Sequence, residues 1–88
     1  MNVMFKGSFA RDLKGIKDQS IKREIKILIE SIERAQSLQE LPNVKKLKGN
    51  DHHYRVKLGD YRIGLLVDGD TVSFVRFLHR KDIYRYFP

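Results

Sequence analysis

Basic residues face one another across a short turn in the middle of this chain. In Tyr54-Arg55-Val56-Lys57-Leu58-Gly59-Asp60-Tyr61-Arg62-Ile63-Gly64, polar and apolar positions alternate on both sides of Gly59-Asp60. A two-residue loop with glycine first suits a type II′ hairpin. That turn pairs Leu58 with Tyr61, Lys57 with Arg62, Val56 with Ile63 and Arg55 with Gly64. Lys57 then stands directly across from Arg62, with Arg55 and the strand-end His79 expected on the same side. Like charges directly opposite each other destabilise a sheet. A chain that collects cations in this way is expected to hold an anion there. His79 adds a group that exchanges protons near neutral pH. The plainer reading is that Lys57 and Arg62 are solvated strand residues and His79 a structural strand end.

The element that positions these residues runs from Tyr54 to Arg80 and reads, with period two, as three strands. Its second turn lies in Asp68-Gly69-Asp70-Thr71. A loop of two or four residues there keeps Ile63, Leu65 and Val67 on one face with Val72 and Phe74. A loop of three would turn the third strand's side chains to the wrong face. The expected core face carries Tyr54, Val56, Leu58, Tyr61, Ile63, Leu65, Val67, Val72, Phe74 and Leu78, with Arg76 as an intruder that snorkels or pairs with a carboxylate. The expected open face carries Arg55, Lys57, Arg62, Gly64, Leu66, Ser73, Val75, Phe77 and His79.

Upstream, Asn2 to Lys6 has the content of a short strand. Ser8 is a plausible N-cap for a short helix whose face is Phe9, Leu13 and Ile16, and Gly15 weakens its end. Asp18 or Ser20 can cap a second helix, in which Ile21, Ile25, Leu28, Ile32 and Ala35 recur at spacings of four and three. Ile27 and Ile29 widen that stripe, as expected for a helix lying on a sheet. Leu41-Pro42 ends it. Asn43 to Asp51 reads as a connector with three lysines and a turn at Gly49-Asn50-Asp51. After His79 the chain closes in Arg80-Lys81-Asp82-Ile83-Tyr84-Arg85-Tyr86-Phe87-Pro88, a helical turn or an extended tail. The order is β-α-α-β-β-β. It predicts an α+β fold with two helices on one face of a small antiparallel sheet; the first strand must join an edge of the meander, and the edge beside the last strand is a guess that the sequence does not decide.

Eighty-eight residues, 41% of them hydrophobic, suffice for one domain (1–88) with a modest core. No apolar run approaches a membrane span, and the opening residues lack a signal-peptide core, so neither membrane nor export is expected. The absence of cysteine excludes disulfides and thiolate chemistry, which fits a cytoplasmic protein. His52 and His53 point to opposite faces if they lie in a strand, so no metal site and no cofactor are expected. The net charge of +7 is uneven: residues 41–88 carry ten cations against five anions, residues 8–40 seven against six. The sheet half is the basic half, which points to nucleic acid or an acidic protein as partner.

Four pieces of this chain, in this order and spacing, resemble the RelE toxins of the RelE/ParE toxin–antitoxin superfamily. They are Ser-Phe-Ala-Arg-Asp-Leu opening the helical pair, Lys-Leu-Lys-Gly before the meander, Tyr-Arg-Val-Lys-Leu-Gly-Asp-Tyr-Arg-Ile within it, and Leu-His-Arg-Lys-Asp-Ile-Tyr at its end. The resemblance covers essentially the whole chain. It implies a ribosome-dependent, metal-independent messenger-RNA endonuclease, silenced by a cognate antitoxin that supplies an acidic and apolar segment. Such cleavage needs a base to take the 2′-hydroxyl proton, cations to stabilise the phosphorane, and an acid for the 5′-oxygen. By resemblance, Arg62 matches the transition-state arginine, Arg55 and Lys57 the paired strand cations, one of which serves as base or phosphate clamp, and His79-Arg80 the acid. Tyr84 matches a tyrosine that orients or stacks on substrate. Lys45, Lys46, Lys48, Lys81 and Arg85 are the expected RNA contacts. Some relatives place a glutamate before Leu-Lys-Gly where this chain has Lys45 and Lys46, which sets it nearer RelE itself. The rival readings are a gyrase poison of the ParE type and an RNA-binding module that does not cut.

Overall fold

The structure, a computed structural model, describes residues 1–49 and 51–88. Strand β1 (Asn2–Phe5) is followed by helices α1 (Gly7–Lys14) and α2 (Gln19–Arg34), then by a 3-10 turn at Leu38–Glu40. Strands β2 (Val44–Lys46), β3 (His53–Leu58), β4 (Tyr61–Asp68) and β5 (Thr71–His79) come next, and the single turn α3 (Ile83–Tyr86) closes the chain. The sheet order is β1-β5-β4-β3-β2. β1 does join the edge beside β5, but it runs parallel to it, so the sheet is mostly rather than wholly antiparallel. β2 is a strand where a connector was expected: Val44 pairs with Val56, Lys45 with Arg55 and Lys46 with Tyr54. Three residues rich in lysine carry too little alternation for the strand to be seen in the sequence. The turn expected at Gly49-Asn50-Asp51 includes Asn50, which lies outside the described residues.

Both hairpins have the register that the turn chemistry implies. Leu58 pairs with Tyr61, Lys57 with Arg62, Val56 with Ile63 and Arg55 with Gly64 across the first. Gly59 sits at φ +59° and Gly69 at φ +60°, and no described residue other than glycine has positive φ. A positive φ at the first loop position and not the second is what a type II′ turn requires. The second loop has two residues, Gly69 and Asp70, because Asp68 pairs with Thr71.

The register slips once. Leu65 pairs with Phe74 but Gly64 pairs with Arg76, so Val75 is an extra residue in β5. Beyond such a bulge the side chains change faces. Phe77, not Leu78, therefore enters the core, where it is 2% exposed and its ring stacks on Tyr61 at 4.9 Å. Arg76 and Leu78 move to the face of Gly64 and Arg62, and His79 moves to that of Tyr61. The bulge falls where β1 has ended at Phe5, opposite Phe74. The free β5 edge beyond is closed by α1. Ser8 Oγ donates to the Val75 carbonyl at 2.6 Å, and Asp12 Oδ2 accepts from the Phe77 N–H at 2.9 Å and from Arg76 Nε at 2.8 Å. Arg76 thus has the carboxylate expected of it, although not as an intruder in the core. Ser8 is no cap, since Lys6 holds the N-cap position of α1.

Helix α2 starts at Asp18, whose Oδ1 accepts from Ser20 N at 2.8 Å and Ile21 N at 3.4 Å. Its buried residues are Ile25 and Ile32, which meet Phe9, Val56, Ile63, Leu65, Val72, Phe74 and Phe77 in the core. Ile27, expected to widen the buried stripe, is instead 61% exposed.

Candidate functional site

Strand pairing defines rows that run across the face of the sheet turned away from α2. One row is Lys45, Arg55, Gly64 and Arg76, and the next is Lys57, Arg62 and Leu78. On the other side of Gly64 lies the row His53, Leu66 and Ser73. Arg55, Lys57 and Arg62 therefore share a face, as expected, and Lys45 joins them because β2 exists. Lys46, one residue on, pairs beside Tyr54 on the opposite face and approaches Asp51 at 3.6 Å.

Arg62 is held at the root of the β3–β4 turn. Its Nη1 donates to the carbonyls of Gly59 and Tyr61, both at 2.8 Å. That leaves Nη2 and Nε as further donors in a fixed fork. Arg80 comes to the same end of the sheet, its backbone N–H donating to the Asp60 carbonyl at 2.8 Å. His79 does not share the face of Arg62. The bulge at Val75 puts it beside Tyr61, with ring centroids 5.8 Å apart, and only its place at the strand end keeps it near the hairpin. Its Nδ1 accepts from the Lys81 N–H at 3.2 Å, so in the neutral ring the proton sits on Nε2. Lys48, Lys81 and Arg85 are exposed around this half of the molecule, and Tyr84 on α3 is 63% exposed.

The expected open face is half closed. Ile83 is fully buried and Phe87, four residues on, is 3% exposed. An apolar pair at that spacing lies on one side of a helical turn. The Phe87 ring lies over Gly64, where an added Cβ would meet ring atoms at 2.7 Å. It also meets His53 edge to face at 5.3 Å. Beside it, Arg76 has its guanidinium 5.6 Å from the Tyr86 ring centre. The short hydrogen bond it donates to Asp12 raises the affinity of this guanidinium for its proton, against the opposing effect of burial. Sequence reasoning missed this cover because a tail of nine residues, Arg80 to Pro88, carries no periodicity. The one available signal was Gly64 itself, a glycine inside a strand.

No group of three or more His, Cys, Asp or Glu side chains among the described residues could hold a metal. No described helix is long and apolar enough to cross a membrane. An apolar groove of about 360 Å³ opens between α2 and strands β2 and β3, lined by Ile27, Leu28, Leu41, Val44 and Leu58 among others. Of the candidate residues only Lys57 borders it.

Residues 3–84 match the family of ParE toxins of type II toxin-antitoxin systems, parDE. Over the full length of both chains the sequence is 46% identical to Toxin RelE3 of Methanocaldococcus jannaschii. The fold is similar to the toxin in the RelB-RelE antitoxin-toxin complex from Methanococcus jannaschii. The TM-score there is 0.81 and the identity 44%, over 97% of this chain and 99% of that one. It is also similar to the archaeal RelE-RelB complex from Pyrococcus horikoshii, with a TM-score of 0.75 over 93% and 97% of the two chains. At 21% identity that second likeness speaks for the fold alone.

Proposed function

The chain belongs to the RelE/ParE superfamily of type II toxins, and from that premise we propose that it is a ribosome-dependent messenger-RNA endoribonuclease. What supports this reading is the set Lys45, Arg55, Lys57 and Arg62 on one face of adjacent strands, with Arg80 at the end of the same hairpin. A ParE-type poison of DNA gyrase has no need of such a set. A phosphorane carries its charge on oxygens, and two adjacent rows of fixed cations stabilise it better than water does.

In this mechanism Arg62 presents its free donors to the phosphorane. Arg55 clamps the phosphate, and Lys57 either does the same or, in its unprotonated form, takes the 2′-hydroxyl proton. The acid is drawn from His79-Arg80, and the geometry favours a division of labour. Arg80 is tied to the hairpin turn beside Arg62 and serves the leaving oxygen as a cationic donor, while His79 approaches round the end of β5. Tyr84, exposed on α3, stacks on or orients a nucleotide, and Lys45, Lys48, Lys81 and Arg85 follow the RNA backbone. Lys46 points to the other face and is the weakest of the expected contacts. Water and side chains suffice for these steps, and no cofactor is invoked.

The partner that silences it is a cognate antitoxin. The similar toxin from Methanococcus jannaschii has been seen with RelB, and the charge asymmetry of this chain suits an acidic, apolar segment. Activity is expected in the cytoplasm, on the ribosome.

In vitro translation with primer extension tests the proposal. Cuts within translated codons support it. Gyrase-linked DNA breaks without such cuts would favour a ParE-type toxin, a reading encouraged by the family that matches residues 3–84. RNA binding with neither outcome would leave a non-catalytic module.

A further inference from the structure

The tail presses an aromatic ring into a basic hollow. Gly64 lacks a side chain, and the Phe87 ring fills the space in which a Cβ would stand. The cross-strand neighbours of Gly64 are Arg55 and Arg76, and His53 lies against the ring edge at 5.3 Å. Two polar atoms at this place are buried without a hydrogen-bond partner: Arg55 Nε and His53 Nδ1. Arg76, in contrast, is satisfied by Asp12. A ring that served only as an apolar plug would leave a guanidinium donor and an imidazole nitrogen unpaired beside it, which is unfavourable. A flat ring with polar edges would not.

We propose that the hollow over Gly64 is a nucleobase subsite, occupied within the chain by Phe87 until RNA displaces it. The base lies flat over the Gly64 backbone. Its edge takes the hydrogen bond from Arg55 Nε and pairs with His53 Nδ1, which donates or accepts according to its tautomer. The attached phosphate falls along the row of Lys45 and Arg55. The bare Gly64 backbone offers the flat of the ring no feature that tells one base from another, so the position now held by Phe87 accepts any base, and Arg55 and His53 at its edge supply what preference there is. The cover is built to leave: α3 is one turn of four residues, with Tyr84 and Tyr86 more than half exposed. This inference rests on the reading that the chain acts on RNA, and it adds His53, Gly64 and Phe87 to the residues that matter.

The test is an NMR titration of the full chain with the four 5′-ribonucleoside monophosphates, using ribose 5-phosphate as control. In the unaltered protein, nucleotides are expected to shift the Gly64 and Phe87 amides. They should also abolish the ring contact of Phe87 with Gly64 and speed exchange of the Phe87 N–H, now bonded to the Ile83 carbonyl at 2.8 Å. Phe87→Ala should raise nucleotide affinity tenfold or more, and His53→Ala in that background should remove the gain. Absence of any nucleotide effect overturns the proposal. So does an equal gain with ribose 5-phosphate, which would mean an anion site only, or a gain untouched by His53→Ala. If Phe87→Ala does not fold, the titration of the unaltered chain decides alone. Nucleotide binding needs no cleavage, so messenger cutting without this subsite would sink the inference alone, and nucleotide binding without cutting would sink the nuclease instead.

Discussion

Arg62 and Lys57 form the pair on which the proposed chemistry turns, and their environments differ. Arg62 is braced by two backbone carbonyls, whereas Lys57 is exposed and stands across the hairpin from it. Arg62→Ala is expected to fold and to lose about 10²–10³ in cleavage rate, the usual worth of one donor aimed at transition-state charge. The purified variant cutting ribosome-bound message at the wild-type rate would make Arg62 a bystander. Lys57→Gln removes a like-charge contact and should leave the free protein as stable or more so, by roughly a few tenths of a kcal/mol. A thermal melt showing strong destabilisation would assign Lys57 a structural role.

Among the elements, α1 decides the shape of the site end. Its Asp12, 14% exposed, satisfies both the Phe77 N–H and the Arg76 guanidinium where β1 no longer covers β5. Asp12→Ala leaves a strand N–H and a half-buried cation without their acceptor, and should destabilise by about 1–3 kcal/mol. Urea unfolding would show a lower midpoint at unchanged slope; an unchanged midpoint would mean that water replaces the carboxylate at no cost. Helix α2 carries a pH-dependent contribution. The Ser20 N–H, then the Ser20 hydroxyl and the Ile21 N–H, hold the Asp18 carboxyl below its ordinary range. Its folded value lies below its unfolded one, so the cap stabilises fully above the unfolded value. That stabilisation is lost as pH falls through the folded value. Melting curves of the wild type and Asp18→Ala should differ near neutrality and converge in acid, and a constant difference at all pH values would show that the cap's charge is irrelevant.

For the whole molecule, the positive sheet half and the nearly neutral helical half set the terms of regulation. An antitoxin segment with carboxylates and an apolar helix face should be disordered when free and fold on the toxin, covering the basic face or displacing the tail that bears Tyr84 and Phe87. Opposite charge would make the encounter fast and salt-dependent, while apolar anchors hold the complex. Co-expression with the small reading frame next to the gene, followed by hydrogen exchange, tests this. Protection is expected on β3, β4 and the tail. Failure of any neighbour to co-purify, or protection confined to polar positions of α2 such as Glu30 and Glu33, would overturn it.

The sequence alone determined what depends on local period and turn chemistry. Gly59-Asp60 set the first hairpin, and with it the register that brings Arg55, Lys57 and Arg62 together, while Asp68-Gly69-Asp70-Thr71 placed the second turn without deciding between a loop of two residues and one of four. Alternation of apolar residues selected the face of Val56, Ile63, Leu65, Val72 and Phe74 as core, and spacings of three and four marked both main helices. Their order also carried the resemblance to RelE toxins. Tertiary structure decided what depends on where one element ends against another. Residues 72–78 are apolar in both phases apart from Ser73 and Arg76, so their pattern fits either face. The choice was made by β1 stopping at Phe5 and α1 closing the edge beyond, which places the bulge at Val75 and turns His79 away from Arg62. Lys45 entered the site only because β3 offered an edge for β2. Phe87 covers Gly64 because a glycine in mid-strand leaves room for a ring, and no local pattern in the sequence says which ring will fill it.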